Sequence, residues 1–120
     1  CKGYQLGTMV MYSRIGSKCS EPDLAIYGTE HKILAAVEIK GGIDTAGVLE
    51  RIGAAIKSLS RARQENPRSI TILIIARVSI TEQAEQELRA HQGNIDRWFT
   101  VEDILNSDEV RRQVFELLGI

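Results

Sequence analysis

Pro22-Asp23-Leu24-Ala25-Ile26-Tyr27, then Gly28-Thr29-Glu30-His31-Lys32, then Ile33-Leu34-Ala35-Ala36-Val37-Glu38-Ile39-Lys40-Gly41-Gly42, is the stretch on which the fold turns. Two runs of strand-forming residues flank five residues with turn chemistry, which is the pattern of a β-hairpin. Asp23–Tyr27 forms the first arm and Ile33–Lys40 the second, and Gly41-Gly42 breaks the second arm. Upstream, residues 8–13 are rich in strand formers, whereas Arg14 to Glu21 is polar and contains Gly16, as expected of a loop or frayed strand end.

Downstream the periodicity changes. Asp44 or Thr45 is placed to cap a helix. From Ala46 to about Gln64, apolar residues recur at Val48, Leu49, Ile52, Ala55, Ile56, Leu59 and Ala62, which is helix spacing with one buried face. Arg51, Lys57, Ser58 and Arg61 fall outside the stripe, and Asn66-Pro67 stops the helix. Residues 70–76 are continuously apolar, as in a strand covered on both faces. Thr81 caps a helix running to about Ala90, and Ile95–Phe99 reads as a short edge strand with Trp98 and Phe99 in the core. Thr100-Val101-Glu102-Asp103 is a capping pattern, and a last helix spans Asp108–Leu118 with Val110, Val114, Leu117 and Leu118 facing inward. A hairpin followed by a strand–helix–strand crossover predicts an α/β fold, a mixed sheet flanked by helices.

The 120 residues suit a single domain. Hydrophobic residues make up 43% and charged residues 26%, an ordinary globular balance, and no run approaches the roughly 20 apolar residues of a membrane span. The two cysteines, Cys1 and Cys19, read as free thiols in a reducing, cytoplasmic compartment. The two cysteines and two histidines do not stand at a spacing useful for a zinc site. The opening Cys1-Lys2-Gly3-Tyr4 has neither an initiator Met nor a signal-peptide pattern and reads as the start of a C-terminal fragment of a longer protein. The formal net charge of −1 counts against an extended basic surface but leaves room for local positive charge.

Chemistry concentrates on the hairpin. Glu38 and Lys40 are two apart on one strand and share a face. Asp23 joins them if the register places it opposite. Three ionisable groups at the end of an apolar sheet are costly to bury unpaired. A divalent cation resolves the conflict: carboxylates bind Mg²⁺, for which Mn²⁺ can substitute, and Lys40 balances the remaining charge. The Ile39 carbonyl, between the two side chains, is a further candidate ligand. Such a set suits phosphodiester hydrolysis, with Lys40 holding or deprotonating the attacking water and offsetting charge on phosphorus.

Pro22-Asp23, fourteen intervening residues, then Glu38-Ile39-Lys40 resembles the PD-(D/E)xK nuclease superfamily. Around this motif, Ser17–Asp23, Val37–Asp44, Ala46-Gly47 and Glu50-Arg51 look like type II restriction endonucleases of the XcyI and SmaI kind. The narrower resemblance covers about residues 13–65; beyond them only the element order agrees. It implies a restriction-endonuclease-like mixed sheet flanked by helices, a prokaryotic type of protein, and Mg²⁺-dependent cleavage of double-stranded DNA at a short palindrome by a homodimer. Asp23, Glu38 and Lys40 would be catalytic, with Asp23, Glu38 and Ile39 at the metal. Many superfamily members add an acidic residue from a helix before the first strand. Here that group lies upstream of the chain or is replaced by Glu21.

Plainer readings stand beside these. Asp23 can simply follow a turn-forming Pro, with Glu38 and Lys40 a solvated pair. Arg14, Lys18, Arg51, Lys57 and Arg61 are candidate phosphate contacts, while scattered surface charge accounts for each equally well. Asp44 is a secondary acidic candidate whose helix-capping reading is stronger. His31 reads as exposed and inert, and His91 as a group at a helix end. Within enzymes, the alternative is a junction resolvase or repair nuclease of the same superfamily. Outside them, it is a non-catalytic DNA-binding module, against which the presence of Asp23, Glu38 and Lys40 speaks.

Overall fold

The computed structural model describes residues 2–14, 22–42 and 46–120. One six-stranded sheet follows the order of the chain: β1 (Lys2–Leu6), β2 (Met9–Ser13), β3 (Leu24–Tyr27), β4 (Ile33–Lys40), β5 (Ile70–Ile75) and β6 (Arg97–Thr100). Strands β1 to β4 pair antiparallel, and β4 to β6 pair parallel. Among the described residues, four α-helices complete the fold: α1 (Val48–Glu65), α2 (Glu82–Ala90), α3 (Val101–Asn106) and α4 (Asp108–Leu118). The mixed sheet flanked by helices is the architecture expected from the sequence.

Helices cover both faces of the parallel half. On one face, Ala36, Leu73 and Ile75 pack with Ile52, Ala55 and Leu59 of α1 and Leu88 of α2. On the other, Val37, Ile72, Ile74 and Phe99 pack with Val110, Val114 and Leu117 of α4. Two-sided burial explains why β5 reads as an unbroken apolar run. The two expected caps of the later helices are made, Thr81 Oγ1 accepting from Ala84 N–H at 3.1 Å and Thr100 Oγ1 from Asp103 N–H at 3.0 Å, and Ser107, not singled out from the sequence, caps α4 by accepting from Val110 N–H at 3.2 Å.

Three sequence expectations need correction. Strand β1 was not expected. It is an exposed edge, joined to β2 by a two-residue turn in which Gly7 has a φ of 63°. Helix α1 is preceded by Gly47; Asp44 and Thr45, proposed as caps, lie outside the described residues. Leu49 is exposed, because it stands at the margin of the buried arc of α1, one turn before Ile52 and Gly53. Trp98 is also exposed, at 38%, whereas Phe99 is buried. Alternation along the edge strand sends Phe99 under α4 and Trp98 to the opposite face, where it lines an open hollow with Leu88, Arg89 and Gln92.

The hairpin itself carries an irregularity that sets up the site. Tyr27 pairs with Ile33, but Ile26 pairs with Ala35, so Leu34 is an extra residue in β4. Beyond this bulge Ala25 faces Ala36 and Leu24 faces Val37. An unbulged ladder starting from Tyr27 and Ile33 would set Asp23 opposite Val37, on the wrong side of the sheet for Glu38. With the bulge, the register continues to Asp23 opposite Glu38.

Candidate active site

The pairing of Ser13 with Leu24, continued by one residue, likewise sets Arg14 opposite Asp23. Glu38 pairs with Leu73 in β5. Arg14, Asp23 and Glu38 therefore form one transverse row on the α1 side of the sheet, and Lys40 stands two residues further along β4. The row lies where β4 and β5 end and the chain turns into α1. Gly42 is held there by Ser79, whose hydroxyl donates to its carbonyl at 3.3 Å, and the Lys40 carbonyl accepts from Ala76 N–H at 3.0 Å.

Within the row the charges are close and partly dry. Glu38 is 3% exposed. Its carboxyl hydrogen-bonds to that of Asp23, accepts from the Ser58 hydroxyl and lies 3.8 Å from Lys40 Nζ. Burial pushes Glu38 above the usual carboxylate range, and the neighbouring Asp23 adds to this; the Ser58 bond and Lys40 offset it only in part. For Asp23, burial acts in the same direction but is outweighed. Ile39 N–H donates to its Oδ2 at 2.7 Å and the Arg14 guanidinium to its Oδ1, so its carboxyl is held below the usual range. Two carboxyl groups in contact thus divide the labour. Asp23 is held below the ordinary carboxylate range and Glu38 is pushed above it.

Pro22 and Ile39 complete the arrangement. Extending the register sets Pro22 across from Ile39. Neighbouring peptide groups alternate in direction, and the Lys40 carbonyl points to β5, so that of Ile39 points toward the β3 side. Proline has no N–H with which to close the ladder there. Pro22 therefore both starts the arm and leaves the Ile39 carbonyl outside the ladder, next to the two carboxyl groups.

An all-oxygen set of this kind fits Mg²⁺ or Mn²⁺. Such ions commonly take one or two carboxylates and fill the remaining positions with water and substrate oxygens. Among the described residues no cluster of three or more His, Cys, Asp or Glu side chains is gathered to hold an ion. Asp23, Glu38 and the Ile39 carbonyl are the donors available, and their chemistry suits a hard cation.

The other expected site residues separate into groups. Arg14 belongs to the row itself. Arg51 braces the loop before α1: its Nη1 donates to the Ala46 carbonyl at 3.1 Å, and a Cβ on Gly42 would lie 3.2 Å from its Nη2. Lys57 and Arg61 are exposed on α1, and Arg61 shares a hollow with Ser58 and Pro22. Lys18, Glu21 and Asp44 lie outside the described residues, as do Cys1 and Cys19. Ser58 was missed from sequence. Its place beside the apolar stripe, one turn from Ala55 and Ala62, was the available signal. His31 is exposed in the hairpin turn, edge-on to Tyr27 at 6.1 Å, and His91 caps the end of α2 near Glu87.

No protein-family model, curated protein or solved structure matches the chain. Among the described residues, no helix is long and apolar enough to cross a membrane.

Proposed function

We propose that this chain is the catalytic domain of a divalent-metal-dependent nuclease that hydrolyses DNA phosphodiester bonds. The PD-(D/E)xK type, and within it a type II restriction endonuclease acting as a homodimer on a short palindrome, is the reading that agrees with the motif. The observation that carries it is the meeting of Asp23, just before β3, with Glu38 of β4, on the face shared by Lys40 and next to Ile39.

Asp23 and Glu38, with the Ile39 carbonyl, would hold the ion. When bound, Mg²⁺ supplies polarisation of a phosphoryl oxygen and acidifies a water. Asp23, already held ionised by Ile39 N–H and Arg14, is the permanent anion. A cation held there would favour the ionised form of Glu38. Lys40, half-buried beside Glu38, donates hydrogen bonds to the attacking water and offsets negative charge building on phosphorus. No side-chain nucleophile is needed.

The test is incubation of supercoiled plasmid with the protein at several Mg²⁺ and Mn²⁺ concentrations. Discrete fragments with metal and none with chelator are expected, and Asp23→Ala should abolish them. A smear would keep the nuclease and remove the restriction type. Intact plasmid under all conditions would leave the row as a structural charge cluster and overturn the proposal.

A further inference from the structure

Asp23 presents both carboxylate oxygens to partners: Oδ2 to Ile39 N–H at 2.7 Å and Oδ1 to the Arg14 guanidinium. Arg14 is also tied to Asp23 through the backbone, its N–H donating to the Asp23 carbonyl at 3.1 Å. The guanidinium feels the charge of Glu38 as well as that of Asp23. With Lys40 beside Glu38, two cations face the two carboxyl groups among the described residues.

From this geometry we infer that Arg14 is a positioning residue that stands in for the divalent cation. It holds the Asp23 carboxylate in place while the ion is absent, and yields Oδ1 when the ion enters. The inference rests on the metal-site reading above. Its physical basis is that a carboxylate oxygen cannot serve a guanidinium and a doubly charged ion equally well, because the two cations repel at contact range. Ile39 N–H is neutral and lies on the other oxygen, so it stays. Ion entry therefore exchanges one cation for another at Oδ1, and Asp23 never stands as a bare buried anion. The displaced guanidinium remains tethered by its backbone bond beside the site, where an incoming phosphate arrives.

Mn²⁺ alone is the probe, titrated calorimetrically into the whole chain without DNA. Wild type should bind, and Glu38→Ala should not. Arg14→Gln should bind about tenfold more tightly, since a competing charge has been removed from a partly exposed position. Arg14→Lys, which restores the charge, should return toward the wild-type affinity. Equal or weaker binding by a folded Arg14→Gln chain overturns the inference and leaves the metal site standing. Absence of Mn²⁺ binding by wild type overturns the metal-site reading and the inference with it. A second measurement needs no variant. The Arg14 Nε–H resonance of the wild-type chain should shift as Mg²⁺ is added, and a resonance unmoved at saturating Mg²⁺ refutes the exchange.

Discussion

Two ionic clusters stand at opposite ends of this sheet, and they are built on different principles. At the start of β5 and β6, Asp96 Oδ2 accepts from Arg63 Nη2 at 2.7 Å and from Thr71 N–H at 2.8 Å. Arg63 Nη2 also reaches the Thr71 hydroxyl at 2.9 Å, and Asp96 N–H donates to the Thr71 carbonyl at 3.0 Å. One anion meets one cation and backbone donors, and the cluster ties α1 to the edge of the sheet. At the other end, Asp23 and Glu38 set two carboxyl groups against each other, one of them dry. The first cluster pairs its charges one to one, although Arg63 Nε is left buried without a partner among the described residues. The second keeps two carboxyl groups in contact beside Arg14 and Lys40, one held below and one pushed above the ordinary range, an arrangement in keeping with the ligand site proposed above.

The largest expected difference is in chemistry. Lys40→Met should lower the plasmid cleavage rate about 10²- to 10⁴-fold, the usual range for a group that handles the reacting proton or the developing charge. Asp96→Asn should leave that rate within about twofold below its melting temperature. Equal losses in the two variants would mean that the clusters do not differ in kind.

Stability should respond in the opposite sense. Asp96→Ala removes the acceptor of two hydrogen bonds from Arg63 and Thr71 N–H and should cost about 2 kcal/mol in urea unfolding, the site being only half-buried. Glu38→Gln, measured with chelator, should lie within about 1 kcal/mol of wild type or above it, because it removes one of two carboxyl groups in contact. A Glu38→Gln chain destabilised as much as Asp96→Ala would show that Glu38 is structural.

The pH dependence separates the two members of the active row. Glu38 is raised in the folded chain, so between the ordinary glutamate value and the raised one the folded state keeps a proton that the unfolded state has released. Stability then falls as pH rises through that window. Asp23 is lowered, so below the ordinary aspartate value the unfolded state takes up a proton that the folded state refuses, and stability is lost as pH falls. In metal-free urea titrations, Glu38→Gln should remove the first loss and Asp23→Asn the second. An unchanged profile in either variant would show that the assigned group does not titrate as its surroundings dictate.

The contrast between the clusters also shows what a sequence displays and what it hides. Strand β4, helix α1 and strand β5 were legible because period and burial agree along them: Ile33–Lys40, the stripe from Val48 to Ala62, and an apolar run under helices on both faces. Glu38 and Lys40 on one face followed from strand geometry alone. Whether Asp23 joined them did not, because the Leu34 bulge decides the parity of the whole arm and one inserted residue has no local signature. Strand β1 was hidden for a different reason. With Lys2–Gln5 exposed, there is no buried face to imprint alternation on Lys2–Leu6. Trp98 misled because size suggested core, whereas its place on an edge strand left it uncovered. Arg14 was expected at the periphery as a phosphate contact. Only the pairing of β2 with β3 brings it to Asp23.

The smallest expected effect concerns Ser58, which the helical stripe excluded and the fold brings to Glu38. Its hydroxyl favours the ionised form of a carboxyl that burial pushes toward the protonated form. Without that bond Glu38 should hold its proton more firmly, and an ion must displace the proton to bind. Ser58→Ala should therefore weaken Mn²⁺ binding about threefold near neutral pH, as expected from one hydrogen bond to a charged group in a partly wet site. The deficit should shrink as pH rises, because Glu38 ionises without help there, and the cleavage rate at saturating metal should change little. Ser58→Thr retains the hydroxyl and should restore the affinity. A purely packing role for Ser58 predicts a loss that is independent of pH and not rescued by the bulkier threonine, so affinity measured against pH in the two variants distinguishes them.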